Sequence, residues 1–281
     1  MDRLDDYSRG IMTETLLMLK DICGKLGIEF YLSHGTLLGA VKYKGFIPWE
    51  DDVDVMMFRR DYDILKDYIL FHPNKDFGIG AAECGYFSLD FFGKFFNKKH
   101  LCLEEGRLLT HPWADIYIIS PLCRKEMKKY FAELKFCINL CQLTRKKVKY
   151  TEWYDTKSKE WFYYNFHRKT FGNREKADRF FRKYLTKYEN RADAYLLMSP
   201  GVFRMAEEKL FEKDMFLGER EEVIFEGETF YAPKEYDRIL KTTYGDYMNT
   251  LPPEKDRVFK HGVKYLREGE NFVSSYSYFG E

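Results

Sequence analysis

The sequence predicts an α+β protein, in which a mixed sheet with helices at its edges is elaborated by a helical middle. Two observations support this fold class. Segments in which apolar residues recur with helical spacing alternate with short apolar runs that are typical of strands. Between residues 125 and 187 the pattern is helical and rich in Lys and Arg.

The predicted elements follow one another along most of the chain. Strands are predicted at 28–32, 52–58, 77–82, 87–96 and 113–119. A first helix should end near Gly27, because glycine is common just after helix C-termini. A hairpin is predicted around Glu226-Gly227-Glu228, followed by a helix that Pro233 starts and Gly245 ends.

We interpret the 281 residues as one elaborated domain. Its core would span about 10–121 and its basic helical middle about 122–205. A hairpin and helix would occupy about 206–268, followed by a frayed tail at 269–281.

Composition excludes several classes of protein. A hydrophobic fraction of 45% argues against a disordered chain. The longest apolar stretches are broken by charges and glycines, so no membrane-spanning helix is expected. Residues 1–6 lack the basic start and apolar core of a secretory signal, which predicts a cytoplasmic protein.

The six cysteines form no CxxC pair and show no spacing typical of a structural zinc site. We expect reduced thiols packed in the core. The alternative is a metal cluster that combines Cys137 and Cys141 with His100 and Cys102.

Charge is unevenly distributed along the chain. The formal net charge is +1, but residues 124–187 contain 19 Lys plus Arg against 7 Asp plus Glu. This basic segment therefore has a net charge of +12 and leaves −11 for the remainder. Aromatic residues are interleaved with it, so we expect peripheral association with anionic membrane at the inner face of the plasma membrane. The alternative is a set of solvated helix surfaces.

Four acids crowd the start of one predicted strand, in the stretch Glu50-Asp51-Asp52-Val53-Asp54. On a strand, Asp52 and Asp54 would point to the same face, where two carboxylates form a site for Mg²⁺ or Mn²⁺. Asp115 is the only charged residue in the predicted strand 113–119, and we expect it to complete the site from a neighbouring strand.

Gly35-Thr36 lies between a predicted strand and a short helix, where backbone N–H groups can hold phosphate oxygens. A Gly-Thr turn, an Asp-x-Asp strand and a further strand acid, in this order, are the arrangement of the polymerase-β-like nucleotidyltransferase fold. We therefore expect that fold for the core sheet.

The segment 33–55, SHGTLLGAVKYKGFIPWEDDVDV, resembles the signature of the LicD family, which includes fukutin-related proteins. Residues 232–236, 244–248 and 252–261 resemble the C-terminal region of that family. Two departures stand out: Lys42-Tyr43 replaces the more common Arg and His, and Glu50 opens an acidic run that is commonly all Asp.

The resemblance implies transfer of a phosphoalcohol, typically phosphocholine from CDP-choline, with release of CMP. The acceptor would be a hydroxyl of a cell-surface glycan or of its lipid-linked precursor, such as lipopolysaccharide or teichoic acid. It implies that Asp52, Asp54 and Asp115 bind the metal and act in catalysis, with Asp115 helping to deprotonate the acceptor.

Further binding roles are expected for residues near the acids and in the matched C-terminal region. Donor phosphate would be held by Gly35, Thr36, Lys42, Lys44 and His261. Trp49 and Trp113 are candidates for contact with the choline ammonium, because ring faces attract cations. Solvent-facing lysines at 42 and 44 and a structural histidine at 261 are the alternatives.

Two other functions stay open at this point. A nucleotidyltransferase proper would use the same acids to transfer a nucleotidyl group from an NTP and release pyrophosphate. A non-catalytic protein would bind a polyanion or a membrane through the basic segment 124–187. Nucleic acid is not expected among the partners.

Overall fold

The protein is described by a computed structural model over part of its length. The residues described are 5–80, 93–104, 108–133, 183, 187–188, 191–198, 210–216, 218–259, 261–269 and 276–277. Most of the predicted helical middle and of the predicted frayed tail lie outside these residues, as do Cys137 and Cys141. The described part combines helices with mixed sheets, which confirms the predicted α+β class.

A seven-stranded mixed sheet forms the centre of the fold. Its strands are β1 (Tyr31–Leu32), β2 (Asp54–Phe58), β3 (Phe77–Gly80), β4 (Gly93–Asn97), β7 (Trp113–Leu122), β8 (Ala194–Met198) and β9 (Leu210–Glu212). Strand β7 is central: it pairs in parallel with β2 on one side and antiparallel with β4 and β8 on the other. Strand β1 pairs with β2, β3 with β4, and β9 with β8.

Two smaller sheets complete the described strands. One contains β5 (Cys102–Glu104), β6 (Leu108–Thr110), β12 (Lys264–Tyr265) and β13 (Tyr276–Ser277), in the order β12-β5-β6-β13. The other is the predicted hairpin, formed by β10 (Arg220–Phe225) and β11 (Glu228–Pro233). Strands β5, β6, β8, β9, β12 and β13 were not predicted. These strands are short and are stabilised by partners distant in sequence, so local pattern gives little signal.

Four α-helices have both ends within the described residues: α1 (Asp6–Leu26), α2 (His34–Tyr43), α3 (Arg59–Phe71) and α4 (Tyr236–Tyr244). Residues 127–133 are also helical. Asp5 caps α1 by accepting the N–H of Ser8 at 2.8 Å. Gly27 ends α1 with a φ of 64°, as predicted from glycine's tolerance of the left-handed region. No helix in the described part of the chain is long and apolar enough to cross a membrane.

Several predicted boundaries are wrong. Strand β1 begins at Tyr31 rather than at Ile28, and β7 extends to Leu122 rather than ending at Ile119. Strand β2 begins at Asp54, so Asp52 lies in the irregular segment before the strand. Helix α4 begins at Tyr236 rather than Pro233, because Pro233 pairs with Arg220 at the end of β11, a position where proline is tolerated. Gly245 ends α4 as predicted.

The core surrounds the central pair of strands. Val55 and Met56 on β2 and Ile116 on β7 are fully buried, as are Leu16 and Leu19 on α1. Cys23 and Cys102 are buried free thiols, which fits the prediction of core cysteines for these two residues. Burial raises the pKa of Cys23 to about 12, so its thiol stays protonated.

The close approach of α2 to the loop that follows it requires glycine at position 39. A Cβ built there would lie 2.4 Å from the carbonyl oxygen of Gly45, which is backbone and cannot rotate away. We predict that Gly39→Ala lowers the free energy of unfolding by about 1–3 kcal/mol through overpacking. Chemical denaturation measures this change.

Gly24→Ala in α1 is the matched control, because a Cβ at Gly24 meets no atom within 4 Å. Alanine there should raise stability by up to about 1 kcal/mol through helix propensity. Equal effects of the two substitutions would contradict the packing assigned to Gly39.

Candidate active site

The pairing of β7 with its neighbours places three charged side chains in a row. Asp54 on β2 lies opposite Asp115 on β7, and Lys94 on β4 lies opposite Asp115 from the other side. The Asp115 N–H donates to the Val53 carbonyl at 2.8 Å. The acids predicted on two separate strands are therefore neighbours at one end of the sheet.

The acidic side chains form two overlapping groups. Glu50, Asp52 and Asp54 each offer a carboxylate oxygen, and these oxygens lie within 4.8 Å of one another. Asp52, Asp115 and His261 form a second group within the same limit. Asp52 belongs to both groups although it precedes β2, so the structure brings Asp52, Asp54 and Asp115 into one cluster.

These carboxylates are withdrawn from water. Asp54 and Asp115 are each 3% exposed, Asp52 is 7% exposed and Glu50 is 9% exposed. Burial raises the pKa of Asp115 to about 6, against the opposing effect of Lys94. Several buried carboxylates at such short range favour the binding of positive charge.

Lys94 places its ammonium group beside Asp115. Its Nζ lies 3.4 Å from Asp115 Oδ1 and 3.9 Å from the centre of the Trp113 ring. The face of Trp113, a predicted choline contact, is therefore already occupied by a cation of the protein itself.

The segment that contains His261 and Val263 lies against the acids. Asp51 accepts the N–H of His261 at 3.1 Å and that of Val263 at 3.4 Å. His261 Nε2 lies 3.0 Å from Asp52 Oδ2, and the hydrogen bond to Asp52 raises the pKa of His261 to about 9. His261 is thus a charged partner of Asp52 and belongs to the cluster; its contact with donor phosphate stays a prediction.

The Gly35-Thr36 turn lies against the acids and begins α2. Thr36 Oγ1 accepts the N–H of Asp54 at 2.8 Å and is buried, so this hydroxyl fixes the start of β2. A Cβ at Gly35 would lie 2.3 Å from Glu50 Oε1. The space beside Gly35 is therefore filled by the Glu50 carboxylate, and phosphate binding at this turn is untested.

The two predicted phosphate-binding lysines differ in position. Lys42 Nζ donates to the carbonyls of Tyr247 at 2.7 Å and Thr250 at 3.1 Å. This contact joins α2 to the segment after α4. Lys44 is exposed and caps the C-terminus of α2, about 13.5 Å along the helix axis from Gly35. The described contacts do not bring Lys44 to the acids.

A cavity of about 390 Å³ adjoins the acidic cluster. Its charged lining residues are Lys42 and Glu50, and its aromatic ones are Tyr43, Trp49, Tyr244 and Tyr247. Burial of the Tyr244 hydroxyl, followed by the charges of Asp54 and Glu50, raises the pKa of that group. The residue as a whole keeps 38% of its surface exposed, so the enclosed part is the hydroxyl end. The cavity and the cluster are therefore continuous.

Three residues of this site were not assigned a role from sequence. Glu50 was noted only as a departure from the family pattern. Lys94 had a usable signal, since it is a lone charge between Phe92-Gly93 and Phe95-Phe96. His34 has a φ of 39°, unusual for a residue other than glycine, and its ring lies 4.0 Å from that of Tyr117 on β7. Sequence offers no signal for that conformation.

Comparison with known proteins finds one family model and several bacterial relatives that are similar to this chain. Residues 27–98 match the family model described as LicD/FKTN/FKRP, nucleotidyltransferase domain. The lipopolysaccharide cholinephosphotransferase LicD of Haemophilus influenzae is 25% identical over 255 residues, which cover 85% of this chain and 89% of that protein. Uncharacterized proteins of Rickettsia prowazekii and Rickettsia typhi are 39% identical over 41 residues, 15% of this chain. These findings confirm the resemblance to the LicD family.

Because Gly35 and Glu50 are in contact, we predict that substitutions at these two positions have coupled effects on the free energy of unfolding. Gly35→Ala should displace the buried Glu50 carboxylate and destabilise the protein, whereas in a Glu50→Ala background the same change should cost less. We expect a coupling free energy of about 1 kcal/mol in this double-mutant cycle, measured by chemical denaturation. Strictly additive effects would show that Glu50 moves aside freely and that position 35 is glycine for another reason.

Proposed function

We propose that this relative of the LicD family is a metal-dependent transferase. It would move a phosphoalcohol, phosphocholine first of all, from a CDP-activated donor to a hydroxyl of a surface glycan or of its lipid-linked precursor. The proposal is supported most directly by the buried carboxylate cluster around Asp52. This cluster occurs in a chain that aligns over 85% of its length with a lipopolysaccharide cholinephosphotransferase.

Mg²⁺ or Mn²⁺ is part of the proposal, and the donor set fits such an ion. Both are hard cations that prefer carboxylate oxygens, and the carboxylate oxygens of Glu50, Asp52 and Asp54 lie within 4.8 Å of one another. Asp115 lies within the same distance of Asp52. Asp52 and Asp54 would hold the ion, with Asp115 or Glu50 beside them. When bound, the ion would neutralise charge on the donor diphosphate.

The proposed reaction forms and breaks bonds at one phosphorus atom. The acceptor oxygen bonds to the phosphorus of the phosphoalcohol, and the bond from that phosphorus to the bridging oxygen breaks. CMP leaves with the electron pair of that bond, and the acceptor proton passes to a base. We assign the base to Asp115, because it faces the cluster from a second strand beside Asp54.

Two positive groups of the chain lie near the acids, where negative charge would develop on the donor phosphate. The Lys94 ammonium, next to Asp115, and the charged His261, next to Asp52, are suitably placed to face donor phosphate oxygens. Thr36 would act indirectly by holding β2 in place. Lys44 has no role in this proposal because of its exposed position at the far end of α2.

The small product that is released distinguishes the proposed transferase from a nucleotidyltransferase. Release of CMP indicates transfer of a phosphoalcohol, and release of pyrophosphate indicates nucleotidyl transfer from an NTP.

The basic segment 124–187 lies mostly outside the described residues. Its binding to membrane and the cytoplasmic location of the protein therefore stay predictions. Co-sedimentation with anionic vesicles, weakened by salt, tests the membrane binding.

The central acids should be needed for turnover but not for folding. With Mg²⁺ and CDP-choline, Asp52→Asn and Asp54→Asn should each lower the rate of CMP release at least about a hundredfold. Without metal, the unfolding temperature of Asp54→Asn should be unchanged or higher, because one of several crowded charges is removed.

Asp21→Asn is the control, since Asp21 forms an exposed ion pair with Lys25 on α1. It should leave CMP release unchanged. Wild-type rates in either cluster variant, or full activity in excess EDTA, would contradict the proposed function.

A further inference from the structure

Asp51 differs from the other acids of the run 50–54 in what it contacts. The two groups of possible metal ligands among the described residues are Glu50 with Asp52 and Asp54, and Asp52 with Asp115 and His261. Neither group includes Asp51. Its side chain is buried, with 2% of the residue exposed, so its carboxylate is solvated by groups of the protein rather than by bulk water.

Two backbone N–H groups, one on each side of Gly262, converge on the Asp51 carboxylate. The backbone nitrogen of His261 lies 3.3 Å from Asp51 Oδ1 and 3.1 Å from Oδ2, and that of Val263 lies 3.4 Å from Oδ2. Gly262 is exposed and has a φ of 54°. A residue in the left-handed region can turn the N–H groups around it toward one side, which forms a nest for an anion. Asp51 is therefore the anion of a backbone nest in the C-terminal segment.

The part of the C-terminal segment that follows the nest is held by other contacts. Strand β12 pairs with β5, and the Leu266 N–H donates to the Leu101 carbonyl at 2.9 Å. His261 precedes these contacts. Its Nε2 lies 3.0 Å from Asp52 Oδ2, and its ring centre lies 6.0 Å from that of Trp113. The position of the imidazole therefore depends on the nest, which fixes the backbone that carries it.

We propose that Asp51 is a positioning residue, which binds the backbone on both sides of Gly262 and thereby holds the imidazole of His261 against Asp52. The inference rests on the proposed function, since the position of His261 matters for turnover only if the acids are the active site. Asp51 contacts neither metal nor donor in this assignment. It acts through His261, so a segment about 210 residues away in sequence completes the site.

Two substitutions disrupt the nest from opposite sides. Asp51→Asn keeps the shape of the side chain but presents an NH₂ group to one of the backbone N–H groups. Gly262→Val leaves every acid in place and disfavours the left-handed backbone, because a branched residue rarely adopts it. Gly262 is exposed, so this second variant carries the test if Asp51→Asn does not fold.

Hydrogen exchange and turnover are measured on the full chain. In both variants the peptide that covers residues 261–266 should exchange at least about tenfold faster than in the wild type, through local opening. The rate of CMP release at saturating CDP-choline with Mg²⁺ should fall at least about tenfold, because His261 is displaced. In a His261→Asn background, which keeps the backbone N–H of residue 261, either substitution should lower CMP release by less than about twofold.

Arg267→Gln is the matched control on the same segment, because it removes only an exposed ion pair with Asp5. It should leave both readouts unchanged. Wild-type exchange in the folded variants, or faster exchange with undiminished CMP release, overturns the assignment while the proposed function stands. A full further loss of turnover in the His261→Asn background also overturns it, since Asp51 would then act independently of His261. If the wild type releases no CMP but both variants exchange faster, the proposed function is wrong and Asp51 still holds the segment.

Discussion

Parallel pairing of β2 with β7 places Asp54 beside Asp115, and antiparallel pairing of β4 with β7 places Lys94 on the other side. Side chains alternate between the faces of a sheet, so a shift of one residue in either pairing would turn these groups away from one another. The register is fixed by apolar residues that are fully buried around the acids. The geometry of the site therefore depends on how the core packs at this point of the sheet.

Folding crowds carboxylates at this point, and the surrounding structure holds them in place. Thr36 fixes the start of β2, Gly35 leaves room for Glu50, and Asp51 ties down the backbone of His261. These contacts hold buried carboxylates in one cluster, with Lys94 and His261 beside it. Crowding of buried carboxylates is costly for a protein alone and becomes favourable when a cation binds there together with an anionic donor.

Local sequence pattern was sufficient for features that depend on nearby residues. The end of α1 at Gly27, the hairpin turn at Glu226-Gly227 and the lone acid on β7 were all predicted, because turn chemistry and strand alternation are local. Contacts between distant segments were not predicted. Asp51 and His261 are 210 residues apart, and the need for glycine at position 35 arises from a carboxylate 15 residues later. Such contacts are determined by tertiary packing.

The proposed function requires the carboxylates around Asp52 and Asp54 to hold a divalent ion against the donor diphosphate. Crystals grown with Mn²⁺ and CDP-choline would test it most directly, through the anomalous signal of manganese. We expect a peak roughly 2.0–2.5 Å from an oxygen of Asp52, from a second carboxylate of the cluster and from a donor phosphate oxygen. Donor bound with no such peak, or with manganese only elsewhere on the protein, would contradict it.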